Sequence, residues 1–470
     1  MSSLRVRRLR LSLGLSTKLW LGTLSCFLTS SAMAADSKPN LDGRRLADRL
    51  LSASDAVRRA FSPKAIAMTL RRHGMKVAAL RADFVLAHTP TYSNEVPPTP
   101  IRNQAKSGRC WIFTALNVVE QEANAAGTAL PKLSRAWLNA KNLQSVAYDL
   151  LHTGATASDL RDTSVHGLGE GGHFAWAMNL IDKYGVVPEH FMRDSFDSRD
   201  SATTIKLLET IVVDAQEKLR SVDKHGQEAI AIVRQAQHDI DRTIALAFTD
   251  KHALPETFVV GGKTYTPKSY AEQHVTVKAS DFVTLSNWQE NRVGWATSGT
   301  GVHALAIYNT DSVDIMKDAM RAAIDQGKKV YLSVPVGGEA APYLSEGTAA
   351  QGAKRVPGVM SLAAWDYASI GIKHPNMTRL LRQRSNLNAT NHAVTGSGYD
   401  LDSSGTVVKW KIDNSWGTSA GDRGVQHVYD DFLTAFVGVV TVPRNALSEA
   451  LLARIDAEKN EMGSVSWDPK

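Results

Sequence analysis

The sequence predicts an α+β protein whose first half is mainly helical and whose second half is rich in strands. Between residues 203 and 248, apolar residues recur every three or four positions in two stripes, which predicts two long amphipathic helices. At 408–413, apolar and charged residues alternate strictly, which is typical of a half-buried strand. The 470 residues are 43% hydrophobic and 21% charged, so the composition excludes a disordered or collagen-like chain.

The N-terminus, residues 1–34, is predicted to be a secretory signal peptide. It carries five basic and no acidic residues, then an apolar run at 19–28, then small residues before the expected cleavage after Ala34. The run has about ten residues, whereas a membrane-spanning helix needs roughly 20. A lipoprotein box before Cys26 matches poorly, so lipid anchoring is a minor alternative. We expect an exported protein, periplasmic or extracellular, without a membrane span.

Charge and composition narrow the classes of partner. Removal of the five basic residues of the signal leaves 49 basic and 47 acidic residues, a formal charge of +2. This near balance argues against nucleic acid as a partner. The mature chain keeps one cysteine and its histidines are scattered, so the sequence predicts no metal site. No cofactor is expected.

The predicted elements divide the chain into six parts. These are the signal peptide 1–34, an N-terminal helical segment 35–100, a helical lobe 101–200 that carries the single mature cysteine, an inserted helical hairpin with its connector 201–300, a β-rich lobe 301–446 and a C-terminal segment 447–470. Pro63 interrupts the helical pattern of the second part. Within the β-rich part, 330–336 is predicted to be a strand, and 337–360 and 394–405 are predicted to be turn-rich.

The single mature thiol, Cys110, is the candidate nucleophile. The apolar residues that follow it predict a helix over 111–122, so the thiol is placed at a helix N-terminus. The positive end of the helix dipole favours thiolate, which predicts a pKa for Cys110 below the ordinary value of about 8.5. Gly108 allows a tight turn into this helix. Gln104 is placed to turn its amide toward an oxyanion, together with the Cys110 backbone N–H. An inert buried thiol or an intermolecular disulfide is the plainer alternative.

Two later segments supply the other groups that a nucleophilic thiol needs. His392 lies 282 residues after the cysteine, and Asn414 lies 22 residues after the histidine. The imidazole of His392 is predicted to take the thiol proton and later to protonate the leaving amine. Asn414 is predicted to orient that imidazole, and Trp416 to shield their hydrogen bond from water.

These segments resemble papain-like cysteine peptidases. The stretch from Gln104 to Phe113, with Ser-Gly-Arg-Cys-Trp at 107–111, is similar to the bleomycin hydrolase and aminopeptidase C branch. The resemblance implies a two-lobe fold, with a helical lobe, an antiparallel β-barrel-like lobe, a helical insertion and a C-terminal arm. Simple papain-like enzymes need roughly 130–150 residues between cysteine and histidine, so the insertion accounts for part of the excess. The second cysteine that most papain-type enzymes carry close before the nucleophile is missing here.

Two further matches concern the substrate. Gly171 and Gly172 resemble the glycine pair of the family's substrate cleft, where a missing side chain lets a substrate backbone approach. A simple loop turn is the alternative; a dinucleotide site is disfavoured because no strand precedes the glycine-rich motif at 167–172. Trp-Asp-Pro at 467–469 resembles the family's C-terminal arm, and the resemblance implies that the carboxylate of the terminal Lys470 binds the substrate's free amine.

The sequence therefore predicts an exported cysteine peptidase that acts on peptides or proteins, most simply an aminopeptidase. The arm is a few residues short of the family's usual length, so an endopeptidase with an open cleft is one alternative. A non-enzymatic papain-like binding protein is the other. The resemblance implies a homo-oligomer, a hexamer in this branch. The segment 35–90 is either a removable propeptide or, as the resemblance implies, a permanent part of the fold.

Overall fold

The fold is taken from a computed structural model that describes residues 63–128, 130–153, 168–223, 225–288, 292–345, 357–373, 377–385, 387 and 389–460. The predicted signal peptide 1–34, the helical pattern before Pro63, and Lys470 with the end of the arm lie outside the described residues. Among the helices of the described ranges, none is both long and apolar enough to cross a membrane.

The helical half of the prediction corresponds to a series of helices in the first 250 residues. In the described ranges the helices are α1 (Pro63–Ala79), α2 (Ala82–Ala87), α3 (Cys110–Ala125), α4 (Arg135–Thr153), α5 (Phe174–Tyr184), α6 (Phe196–Arg199), α7 (Ala202–Arg220), α8 (Gln227–Phe248), α9 (Pro267–His274), α10 (Val313–Asp325), α11 (Arg379–Arg384), α12 (Asp430–Phe436) and α13 (Glu449–Asn460). The two predicted amphipathic stripes are α7 and α8, which pack against each other and against α4. Their apolar faces are buried there, as amphipathic periodicity requires.

In the part of the chain that the structure describes, the strands form one large sheet and one small hairpin. They are β1 (Asn94–Glu95), β2 (Phe258–Val260), β3 (Lys263–Tyr265), β4 (Phe282–Ser286), β5 (Gly294–Ser298), β6 (Leu305–Asn309), β7 (Val330–Val334), β8 (Val359–Met360), β9 (His392–Leu401), β10 (Val407–Asp413), β11 (Val425–Tyr429) and β12 (Val439–Pro443). The ten-stranded sheet has the order β5-β6-β4-β12-β7-β9-β10-β11-β8, with β1 added on β9, and β2 pairs with β3.

The sheet differs from the antiparallel, barrel-like lobe that was expected. It is open, because its terminal strands β5 and β8 lie at opposite ends of the order, and it is mixed, because β4–β6 and β11–β8 are parallel pairs. One edge is covered instead of closed: the indole of Trp295 in β5 donates to the carbonyl of Ile455 in α13, at 3.0 Å. Covering an edge with a helix protects its unpaired backbone groups without strand closure.

The predicted turn-rich stretch at 394–405 is also wrong over most of its length, because β9 continues to Leu401. Its glycines suggested turns, yet they lie in a central strand where a side chain does not fit. A Cβ on Gly396 would lie 3.1 Å from Leu332, and one on Gly398 would lie 2.8 Å from the carbonyl oxygen of Asn94. Glycine inside a strand here marks close approach of neighbouring chains.

Among the described residues, the buried apolar side chains form two clusters. One joins α3, α4, α5, α7 and α8, and the other lies around the sheet with α10 and α12. The first cluster also contains Tyr331 of β7 and Ala393 of β9, so the sheet packs on the nucleophile helix α3. This packing brings Cys110, the first residue of α3, to the start of β9, where His392 lies.

Candidate active site

The loop before α3 presents Cys110 at the first position of the helix. Ala105 has a left-handed backbone, φ 54°, and its N–H is held by the side-chain oxygen of Asn103 at 2.8 Å. The next residue, Lys106, donates its backbone N–H to Arg199 at 2.9 Å. A non-glycine residue in this region of φ is uncommon and costs free energy, so the surrounding contacts must fix the loop.

The second component of the site is a buried imidazole whose tautomer is fixed. Nε2 of His392 lies 2.8 Å from Oδ1 of Asn414, and the same oxygen accepts the backbone N–H of Ser415 at 2.7 Å. Because Oδ1 receives a hydrogen bond from a backbone donor, it is the oxygen of the amide that faces the ring, and Nε2 carries the proton. Nδ1 is therefore the unprotonated nitrogen, and it is the one left for the thiol.

Trp416 covers this pair. Its ring stacks on the imidazole of His392 with centroids 4.5 Å apart and an angle of 25° between planes. Both His392 and Asn414 are about 5% exposed. The prediction placed this tryptophan over the hydrogen bond, and the stacked geometry is of the kind that excludes water from it.

The thiol and the imidazole are both shifted toward their neutral forms. Burial raises the pKa of Cys110, while backbone N–H groups of Ala393, Trp111 and Cys110 itself act in the opposite direction. Burial lowers the pKa of His392 to about 4, and its hydrogen bond to Asn414 acts against this. The lowered thiol pKa expected from the helix dipole is therefore wrong, because desolvation outweighs the backbone donors.

Gln104 contacts both the loop before Cys110 and the segment that follows Asn414. Its Nε2 donates to the carbonyl of Ser107 at 2.7 Å, and its Oε1 accepts from the hydroxyl of Ser415 at 2.5 Å. A primary amide has two N–H groups. One is therefore used to brace the nucleophile loop, and the predicted oxyanion role would require the second.

The two glycines of the predicted cleft have different environments. Nothing lies within 4 Å of a Cβ built on Gly171, which leaves the space that an approaching substrate backbone needs. A Cβ on Gly172 would lie 2.5 Å from the indole of Trp111. The second glycine is thus required by packing on the residue after Cys110.

Three features of the site were missed in the sequence. The first is the backbone N–H of Ala393, which donates to the Cys110 sulfur. The second is the buried pair of Lys329 and Asp413, 3.0 Å apart, directly before Asn414. The third is Glu170. An acidic residue directly before a glycine pair was the sequence feature that could have indicated it.

No group of three or more His, Cys, Asp or Glu side chains suited to a metal occurs in the ranges that the structure describes.

A helix-borne cysteine beside a histidine that an asparagine orients defines a thiol-peptidase type of site. The chain belongs to the Peptidase C1-like family, which matches residues 48–470. It is 25% identical to aminopeptidase C of Listeria monocytogenes over 429 residues, covering 85% of this chain and 92% of the relative. It is 26% identical to aminopeptidase W of Lactobacillus delbrueckii over 440 residues, covering 86% and 93%.

Two other comparisons agree. Bleomycin hydrolase of Homo sapiens is 22% identical over 432 residues, covering 83% of this chain and 88% of the relative. A crystal structure of PepW from Lactobacillus rhamnosis superposes with a TM-score of 0.72 at 22% identity, covering 93% and 99%, which shows a common fold. The family and these relatives confirm the predicted branch and the predicted class, a cysteine-type peptidase.

Proposed function

We propose that the protein is an aminopeptidase that cleaves peptide bonds through a thioester on Cys110. One observation carries the proposal: Nε2 of His392 donates a hydrogen bond of 2.8 Å to Asn414, which leaves Nδ1 as a free base. The next residue of the same strand, Ala393, donates its backbone N–H to the Cys110 sulfur. A base, an orienting amide and a thiol are the three groups that acyl transfer by a cysteine requires.

The steps follow from this geometry. As the Cys110 sulfur attacks the carbonyl carbon, its proton passes to Nδ1 of His392. The tetrahedral oxyanion is stabilised by the Cys110 backbone N–H and the second N–H of Gln104. Collapse of this intermediate breaks the C–N bond, and the imidazolium gives its proton to the leaving amine. Water, deprotonated by the same imidazole, then attacks the thioester carbonyl. The C–S bond breaks, the imidazolium returns its proton to the sulfur, and the acid is released.

The exopeptidase assignment is supported by the relatives, which are named aminopeptidases. In the proposal, Gly171 lets the substrate backbone approach and the terminal carboxylate of Lys470 binds the substrate's free amine. An endopeptidase with an open cleft is the second candidate.

A comparison of two substrates decides between exo- and endopeptidase action. An aminopeptidase hydrolyses a peptide with a free N-terminal amine and leaves its N-acetylated form intact, whereas an endopeptidase cleaves both at an internal bond. Mass spectrometry of the products locates the bond. Cys110→Ala is the control: loss of hydrolysis in this variant supports the nucleophile, and undiminished hydrolysis would contradict it. A folded protein that hydrolyses neither peptide would favour the binding-protein alternative.

The N-terminal segment is proposed to be a permanent part of the enzyme. Within 35–90, Ala79 is 1% exposed and its carbonyl accepts the backbone N–H of Asp366 at 2.7 Å, and Arg81 donates its backbone N–H to the carbonyl of Ala364 at 2.9 Å. Removal of 35–90 would break both hydrogen bonds and expose this part of the core. We also propose export by the 1–34 signal to the periplasm or exterior, and a homo-oligomer of the hexameric kind. N-terminal sequencing of the secreted protein and its mass by light scattering test these points.

A further inference from the structure

A buried glutamate lies beside the nucleophile loop without a catalytic role in the mechanism above. Glu170 is 6% exposed, and its carboxylate accepts hydrogen bonds from the backbone N–H of Gly108 at 2.6 Å and from Nδ2 of Asn139 at 2.6 Å. The hydroxyl of Ser201 donates to the same carboxylate. All three partners are neutral donors, which suits an ionised carboxylate, since that group is acceptor-only.

The main chain of the same residue reaches the other side of the cysteine. The indole Nε1–H of Trp111 donates to the Glu170 carbonyl. Gly108, two residues before the thiol, approaches so closely that a Cβ there would lie 2.9 Å from Cβ of Glu170. Glu170 thus holds the residues on both sides of Cys110 and is directly followed by the open glycine, Gly171.

We propose that Glu170 is a positioning residue for the nucleophile. Glu170 fixes the position of Cys110 through its contacts with Gly108 and Trp111, and its negative charge acts on the thiol. This inference rests on the proposed function, because it concerns the atom that attacks the substrate. Hydrogen bonds from two elements, α4 through Asn139 and the start of α7 through Ser201, in turn fix the carboxylate.

The charge acts on the same sulfur. The Glu170 carboxylate raises the pKa of Cys110, in addition to burial. The guanidinium of Arg109, the nearest cation in sequence, points away, since it donates to Asp194 at 2.6 Å and to Ser107 at 2.8 Å. The buried phenol of Tyr331 interacts electrostatically with the same sulfur. His392 is the neighbour in sequence of Ala393, whose backbone N–H lowers the pKa of Cys110. Removal of the Glu170 charge is therefore expected to make the thiol easier to ionise.

Glu170→Gln separates charge from position. The amide oxygen of the glutamine can keep the hydrogen bond from Gly108. If the side-chain amide of Asn139 rotates by 180°, the NH2 group of the glutamine can donate to Oδ1 of Asn139, which has no hydrogen-bond partner among the described residues. We expect kcat/KM within about tenfold of wild type, and a pH profile of iodoacetamide alkylation at Cys110 that moves to lower pH by about one unit. Glu217→Gln, on the exposed face of α7, is the matched control and is expected to leave both unchanged.

Glu170→Ala removes the position as well. We expect kcat to fall about 100-fold with a smaller change in KM, because the loop is released but the cleft remains, and we expect Glu170→Asp to restore part of kcat. All rates are divided by the fraction of folded enzyme, measured for each variant by circular dichroism and thermal unfolding, which corrects for misfolding. An unmoved alkylation profile in Glu170→Gln, or an unchanged kcat in Glu170→Ala, would overturn the inference. Failure of the proposed function is distinct from these results, since it would appear as full hydrolysis by Cys110→Ala.

Discussion

The ion pair behind the active site gives a prediction with a large expected effect. Nζ of Lys329 lies 3.0 Å from Oδ2 of Asp413 and 2.7 Å from the hydroxyl of Thr99, and the two charged side chains are 0% and 7% exposed. Lys329→Met would leave the carboxylate of Asp413 buried without its cation. Breaking one partner of a buried pair costs about 3–5 kcal/mol of the free energy of unfolding.

Urea unfolding followed by tryptophan fluorescence measures this cost. With an m-value of about 3 kcal/mol/M, a loss of 3–5 kcal/mol lowers the unfolding midpoint by about 1 M or more. Lys218→Met is the control, because it breaks a surface pair with Asp214 in which the side chains are 60% and 62% exposed. Such pairs contribute about 0–1 kcal/mol.

A second variant tests the stated reason. In Lys329→Met with Asp413→Asn, no unpaired charge remains, so most of the loss is expected to be recovered. If Lys329→Met shifts the midpoint no more than Lys218→Met does, or if the double variant is less stable than the single one, the reasoning from buried charge is refuted.

The remaining predictions concern the site. Asn414→Ala is expected to lower kcat about 100-fold with little change in KM, since the imidazole of His392 loses its orienting acceptor. Steady-state kinetics measure this, and a fall in kcat that is fully explained by unfolded enzyme at the assay temperature would contradict it. Gly172→Ala is expected to lower the melting temperature and to perturb the packing of Trp111, because the new Cβ has no space, whereas Gly171→Ala is expected to fold normally and to raise KM; calorimetry and kinetics of both variants give the comparison. Because burial lowers the pKa of His392 from 6.5 to about 4, the unfolded chain binds more protons between these values, so the stability that this group contributes is lost as the pH falls from about 6.5 through 4. The rate kcat/KM is expected to fall below about pH 4, where the base is protonated, and an acid limb near pH 6.5 in fully folded enzyme would contradict the buried geometry.

The sequence was sufficient to predict the candidate segments of Cys110, His392 and Asn414, because each carries local chemistry. Cys110 precedes an apolar helical pattern, and Asn414 follows an alternating strand, so residue type and element could be inferred together. Their meeting in space could not be inferred from spacing alone, because it depends on α3 packing against β7 and β9. The family resemblance supplied that step, and the structure brings these residues together.

Other features could not be predicted because they depend on neighbours distant in sequence. The glycines of β9 suggested turns, and only the close approach of Leu332 and Asn94 explains them. The sign of the Cys110 pKa shift depends on how much protein surrounds the sulfur, which no helix-end rule contains. Lys329 directly precedes β7 and Asp413 ends β10, so their pairing joins two separate strands. No sequence pattern around either residue predicts the pair.

The most direct test of the mechanism is to trap the acyl-enzyme. Wild-type protein is mixed with an aminoacyl anilide that has a free amine, the reaction is quenched in acid within one turnover, and the digested protein is analysed by mass spectrometry. The account predicts an aminoacyl group on the peptide that contains Cys110, lost on treatment with hydroxylamine, and no adduct in Cys110→Ala. Hydrolysis that proceeds without any adduct at Cys110, and at the same rate in that variant, would contradict it.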